Sequence, residues 1–127
     1  MQMILKNNLY SITQSERSAE GADFMLQLHR ECFIYAAHFP EMPVTPGVCL
    51  LLMAKELLED VVERKLDLVE VKNAKFLSVV HPILDERLEC SLRKLSADAG
   101  TGSVQVQATL KTDAETKAKL SIVCRKA

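Results

Sequence analysis

His38 stands in the run HFPEMPVTPGV, residues 38–48, which also holds prolines at 40, 43 and 46 and a glycine at 47. Histidine changes charge close to neutral pH, which suits it to taking up and returning a proton. Each proline fixes its own φ and restricts the residue before it, so the run is expected to be a stiff loop. Such a loop holds a base at one fixed distance from whatever it faces. Cys32 and Cys49 raise a second chemistry, a thiol nucleophile paired with His38. Cys49, however, opens a continuous apolar run and reads as a small buried thiol. His29, at the end of an expected strand, reads as a packed or surface residue, and His81, ahead of Pro82, as a turn residue.

The elements that must position the loop follow from periodicity. Thr45 and Pro46 form a helix start, because the hydroxyl can accept a first-turn N–H and proline is pre-set for the first helical position. The helix is expected to run to about Lys65. Its first half, VCLLLMA (48–54), is apolar on every face and should be enclosed. The second half, KELLEDVVERK, keeps only Leu57, Leu58, Val61 and Val62 on one stripe and should surface. Ahead of the loop, residues 4–12 and FMLQLH (24–29) suggest an opening pair of strands, with ERSAEGAD as the turn and an irregular segment from Arg30 to Thr45. After the helix the period becomes two. Val69, Val71 and Asn73 alternate with Glu70, Lys72 and Ala74, up to Phe76. Leu88, Cys90 and Leu92 share a face, as do Val104, Val106, Ala108 and Leu110, and then Ala118, Leu120, Ile122 and Cys124, with AGTG and TDAET as turns. The predicted class is α+β, an antiparallel sheet wrapped round a central helix in a hotdog fold.

Composition narrows the function. A chain of 127 residues fits a single domain, 1–127, that can bury a core without disulfides. Sixteen basic against seventeen acidic residues leave a net charge of −1, and there is no tryptophan, which argues against nucleic-acid and anionic-membrane partners. The four cysteines are widely spaced without metal-site pairing, so free thiols, no metal and no cofactor are expected. The chain shows neither a signal-peptide core nor the roughly 20 apolar residues that span a bilayer, and a cytoplasmic location is expected.

The loop resembles the HFPGxPVxPGV signature of the 3-hydroxyacyl-[acyl-carrier-protein] dehydratases, hotdog enzymes of fatty-acid synthesis. It keeps His38, Phe39, Pro40, Pro43, Val44, Pro46, Gly47 and Val48 at that family's spacing, and fainter similarity continues in VKNAKF and HPILDERLECSL. The resemblance covers roughly residues 24–125. It implies removal of water from a 3-hydroxyacyl thioester to give the trans-2-enoyl thioester. His38 would be the base, the Gly47 backbone N–H the donor to the thioester oxygen, and Phe39, Val48 and Leu52 would lie against substrate. It also implies a carrier-protein or coenzyme A thioester as substrate, and a homodimer or a heterodimer with another hotdog subunit, the site lying at the interface.

One part of the family pattern is missing. The family's acid stands fourteen positions after the histidine, where this chain has Leu52. Glu56, four residues or about 6 Å further along the same helix face, is a candidate substitute, against the simpler reading of a solvated carboxylate. Glu41, where the family has glycine, is a second and weaker one. The basic residues usual after the VKNAKF equivalent become Leu77 and Ser78, leaving Lys72, Lys75 and Arg30 as candidate contacts to an acidic carrier. Two alternatives stand beside the dehydratase: a non-catalytic or partner-dependent subunit that binds acyl thioesters, and a hotdog thioesterase in which Glu56 directs water.

Overall fold

The computed structural model describes residues 4–37, 41 and 43–127. In chain order these form β1 (Tyr10–Ser18), β2 (Gly21–Leu28), α1 (Phe33–Ala37), α2 (Gly47–Val62), β3 (Leu66–Phe76), β4 (Arg87–Asp98), β5 (Ser103–Lys111) and β6 (Thr116–Lys126). The six strands make one sheet in the order β1-β2-β4-β5-β6-β3, and every pairing is antiparallel. Alternation fixes which face is buried. Phe24 and Leu26 of β2, Leu88, Cys90 and Leu92 of β4, Val104, Val106 and Leu110 of β5, and Leu120, Ile122 and Cys124 of β6 are all buried. They join Met53, Ala54, Leu57 and Leu58 of α2 in one core. This is the hotdog arrangement, one helix lying in the trough of a curved sheet.

Four expectations are corrected. The opening turn is only Ala19 and Glu20, because Ser18 already pairs with Gly21 and the polar stretch before it belongs to edge strand β1. The segment before the loop contains the short helix α1, whose Ile34 and Tyr35 are buried. Helix α2 ends at Val62, where Glu63 turns left-handed at φ 58° and donates its N–H to the Glu59 carbonyl. Strand β3 does not alternate cleanly, since its register with β6 shifts between Leu68 and Glu70 and again between Val71 and Asn73. Val69 and Val71 consequently lie 47% and 41% exposed.

The burial of α2 also differs from its hydropathy. Val48, in the apolar first half, is 61% exposed, whereas Lys55 and Glu56, in the charged second half, are 5% and 6% exposed. The tail of the helix is covered by the chain's N-terminal segment, whose Leu5 and Leu9 are fully buried. No helix among the described residues is long and apolar enough to cross a membrane.

Where β2 crosses β4 the backbones meet so closely that a Cβ on Gly21 would lie 1.8 Å from the Leu92 carbonyl oxygen. Gly21→Ala should therefore force the strands apart and lower the unfolding free energy by roughly 3 kcal/mol, measured by urea denaturation.

Candidate functional site at the head of the central helix

The first N–H groups of any helix lack intrahelical acceptors and need another partner. At the head of α2 the Cys49 and Leu50 N–H groups return to the Pro46 carbonyl. Among the described residues, the N–H groups of Gly47 and Val48 meet no acceptor. Thr45 does not cap the helix, contrary to expectation. Its hydroxyl bonds the Tyr35 hydroxyl at 2.8 Å and its N–H donates to the Val80 carbonyl at 2.8 Å, so the residue is buried and tied sideways to α1 and to the β3–β4 connection. Pro46 then takes the cap position with ψ 146°, and no side chain among the described residues closes the end.

Two donors without an acceptor among the described residues, at the positive end of a helix dipole, can stabilise negative charge. The ring of Phe76, the last residue of β3, forms a wall beside them. A Cβ on Gly47 would lie 2.9 Å from its Cζ, so the glycine is what lets the ring lie against the helix head. Val48, Phe76, Leu77 and Val79 are all more than half exposed around this point. Leu51 and Leu52 are half-buried against the core. The arrangement offers anion-stabilising donors beside an apolar surface, which suits a polarised carbonyl attached to an acyl chain. Phe76 carried no signal beyond ending its strand.

Of the residues selected from sequence, Gly47, Val48 and Leu52 share the first part of α2. His38 and Phe39 lie outside the described residues. Glu56 is nine residues from Gly47, about 14 Å along the helix axis. Its carboxylate is occupied: Oε2 accepts the Leu5 N–H at 2.8 Å and Oε1 the Tyr10 hydroxyl at 3.0 Å. The expectation of a solvated carboxylate is thus corrected, because the N-terminal segment encloses it. Burial, and then the neighbouring Glu56 carboxylate, raise the Tyr10 phenol far above its usual range, so it remains a donor. Beside Glu56 opens a hollow of about 550 Å³. Its wall carries both signs of charge, with Lys6 and Arg17 against Asp60 and Lys55 against Glu59.

The remaining histidines have other partners. His29 Nε2 lies 2.7 Å from the Ser11 hydroxyl, and His81 Nδ1 accepts the N–H groups of Ile83 and Leu84. All four cysteines are free and buried. Burial, and then Cys32, raise the Cys49 thiol, which opposes thiolate chemistry there. Lys72, Lys75 and Arg30 are exposed.

Comparison with known proteins gives this geometry a family. The family model of the ApeI dehydratase, ApeI-like, matches residues 13–120. The chain belongs to the ApeI-like dehydratase family. Among solved structures it is similar to the dehydratase heterocomplex ApeI:P from Xenorhabdus doucetiae, at 18% identity and a TM-score of 0.68, covering 90% of this chain and 96% of that one. It is also similar to an uncharacterized protein from Erwinia carotovora (21% identity, TM-score 0.63, coverage 88% and 90%). A putative thioesterase, a phenylacetic acid degradation-related protein from Ralstonia eutropha, matches at 17% identity and a TM-score of 0.55, covering 80% of this chain and 74% of that one. These likenesses establish the hotdog fold. No curated protein sequence matches the chain.

Two outcomes test the geometry. Glu56→Ala leaves the Leu5 N–H and the Tyr10 hydroxyl without an acceptor and should cost about 3 kcal/mol, Tyr10→Phe about 1 kcal/mol, and the double variant less than the sum, all read from denaturant unfolding. Gly47→Ala should cost roughly 1 kcal/mol through its clash with Phe76, and adding Phe76→Leu should recover most of it in a double-mutant cycle.

Proposed function

We propose that this chain is a dehydratase subunit that converts a 3-hydroxyacyl thioester to the trans-2-enoyl thioester, completed by a second hotdog chain. The observation that carries the reading is the Gly47 N–H at the head of α2, without an acceptor among the described residues, in a member of the ApeI-like family. His38 takes the proton from the carbon next to the thioester carbonyl. The charge that gathers on the thioester oxygen is stabilised by the Gly47 N–H. The bond from the third carbon to its hydroxyl then breaks, and an acid supplies the proton that lets the hydroxyl leave as water. Val48 and Leu52 border the acyl chain, together with Phe39. The carrier is an acyl carrier protein or coenzyme A, with Lys72, Lys75 and Arg30 as contacts to an acidic carrier.

The acid comes from the partner. Leu52 has no proton to give, and the Glu56 carboxylate is engaged by Leu5 and Tyr10. Strand β3 offers the pairing edge. It is eleven residues long, ends the sheet, and leaves Val69, Val71 and Phe76 half exposed, whereas the opposite edge, β1, is polar along most of its length. A long edge strand leaves a row of backbone groups that a partner strand can pair with. The similar ApeI:P structure is described as a heterocomplex, which favours an unlike hotdog subunit over a second copy.

The test is hydration of enoyl thioesters by the chain alone and together with a second hotdog subunit that carries the acid at the position of Leu52. The expected result is slow turnover alone, a gain on the order of 100- to 10,000-fold on pairing, loss in His38→Ala, and retention in Glu56→Gln. Loss in Glu56→Gln at unchanged stability would return the acid to this chain, and release of free thiol without enoyl product would make the protein a thioesterase.

A further inference from the structure

Lys117 stands on the outward face of β6 by strand alternation, yet it is only 5% exposed. Its ammonium lies 2.8 Å from Glu115 Oε1, 3.1 Å from Asp85 Oδ2 and 3.1 Å from the Val79 carbonyl oxygen, with the Ser78 hydroxyl at 3.5 Å. An ammonium has three donors, and these acceptors use them all. The Lys117 carbonyl in turn accepts the N–H groups of Leu77 and Ser78 at 2.8 and 3.1 Å. One residue therefore clasps both ends of the β3–β4 connection. Residues 77–79 are held directly, and the far end is held through Asp85, whose Oδ2 also accepts the His81 N–H at 2.9 Å.

What the clasp holds matters for the helix head. Val80, next to the carbonyl that Lys117 grips, is 1% exposed and accepts the Thr45 N–H. Thr45 lies two residues before Gly47. At the other end of the clasp, Phe76 directly precedes the residues bonded to the Lys117 carbonyl, and its ring rests on Gly47. The chain bond at Thr45 and the ring contact at Phe76 reach the Gly47 donor from the same short connection, and both depend on where Lys117 fixes it. We propose that Lys117 is a positioning residue, setting the Gly47 N–H relative to the substrate thioester through the β3–β4 connection. The inference rests on the dehydratase reading for its consequence in catalysis and on hydrogen bonding alone for its consequence in structure. Arginine does not replace it, because a planar five-donor fork does not fit four acceptors gathered around one point.

The experiment compares three proteins with the wild type, each assembled with its partner: Lys117→Met, which keeps an unbranched apolar stem, Lys117→Met/Asp85→Asn, which also removes the buried carboxylate charge left behind, and Tyr10→Phe, which weakens the other end of α2. Amide hydrogen exchange over residues 43–50 and enoyl-thioester hydration are measured for each. In both Lys117 variants exchange at Thr45, whose N–H is held by the Val80 carbonyl, should speed up at least tenfold, and kcat should fall on the order of 100-fold with KM changed by less than about threefold. The double variant should regain melting temperature without regaining kcat, while Tyr10→Phe should lose melting temperature and keep both exchange in this segment and kcat. Recovery of kcat together with melting temperature in the double variant, or unchanged exchange at residues 43–50, overturns the proposal. If the wild type has no hydratase activity the dehydratase reading fails, and the exchange comparison still decides whether Lys117 fixes the helix head.

Discussion

The structure depends on one helix lying lengthwise in the trough of a single sheet. A helix must find partners, in the protein or in water, for the backbone groups at both of its ends. In this protein the two ends are treated differently. At the tail, Arg17 donates to the carbonyls of Asp60 and Val61, Glu63 closes the last turn, Glu59 accepts the Leu66 N–H that begins β3, and Glu56 fastens the N-terminal segment. At the head, the donors of Gly47 and Val48 are left for something else among the described residues. The tail is where the fold is secured, and the head is where electrostatic stabilisation remains available.

Securing the tail explains why charge and burial run opposite to expectation along α2. Hydropathy marks Lys55 and Glu56 as the start of a solvated stretch, but each has a partner, Glu59 one turn along the same helix for Lys55 and Leu5 with Tyr10 from the N-terminal segment for Glu56. Buried charge of this sort is tolerable only when it is paired and hydrogen-bonded. Val48, by contrast, is apolar and exposed.

Much of the architecture was legible in the sequence because it rests on local repetition. The period-two runs of β4, β5 and β6 gave their inward faces, and the Pro46–Gly47 step marked the start of the helix to within a residue. Elements set by long-range contacts were not legible. The five residues of α1 are too few to show a helical period, and the bulges of β3 arise from its pairing with β6. Lys117 looks like any outward lysine until Asp85, 32 positions away, folds back against it. Of the candidate site, Gly47 and Val48 at the helix head stand within the loop motif. The Phe76 wall was not legible, because its meaning comes from what a glycine elsewhere allows it to touch.

Leu52 has a numerical consequence. A pair of hotdog chains presents two helix heads, and in the arrangement proposed above each draws its acid from the opposite chain. The chain with Leu52 receives a proton donor but offers none in exchange. A mixed pair would hold one complete set of reacting groups for two subunits, so titrating its active sites would count half as many as there are polypeptides. The second helix head of such a pair would be released from the demands of turnover, free to diverge or to serve only in holding its neighbour in place.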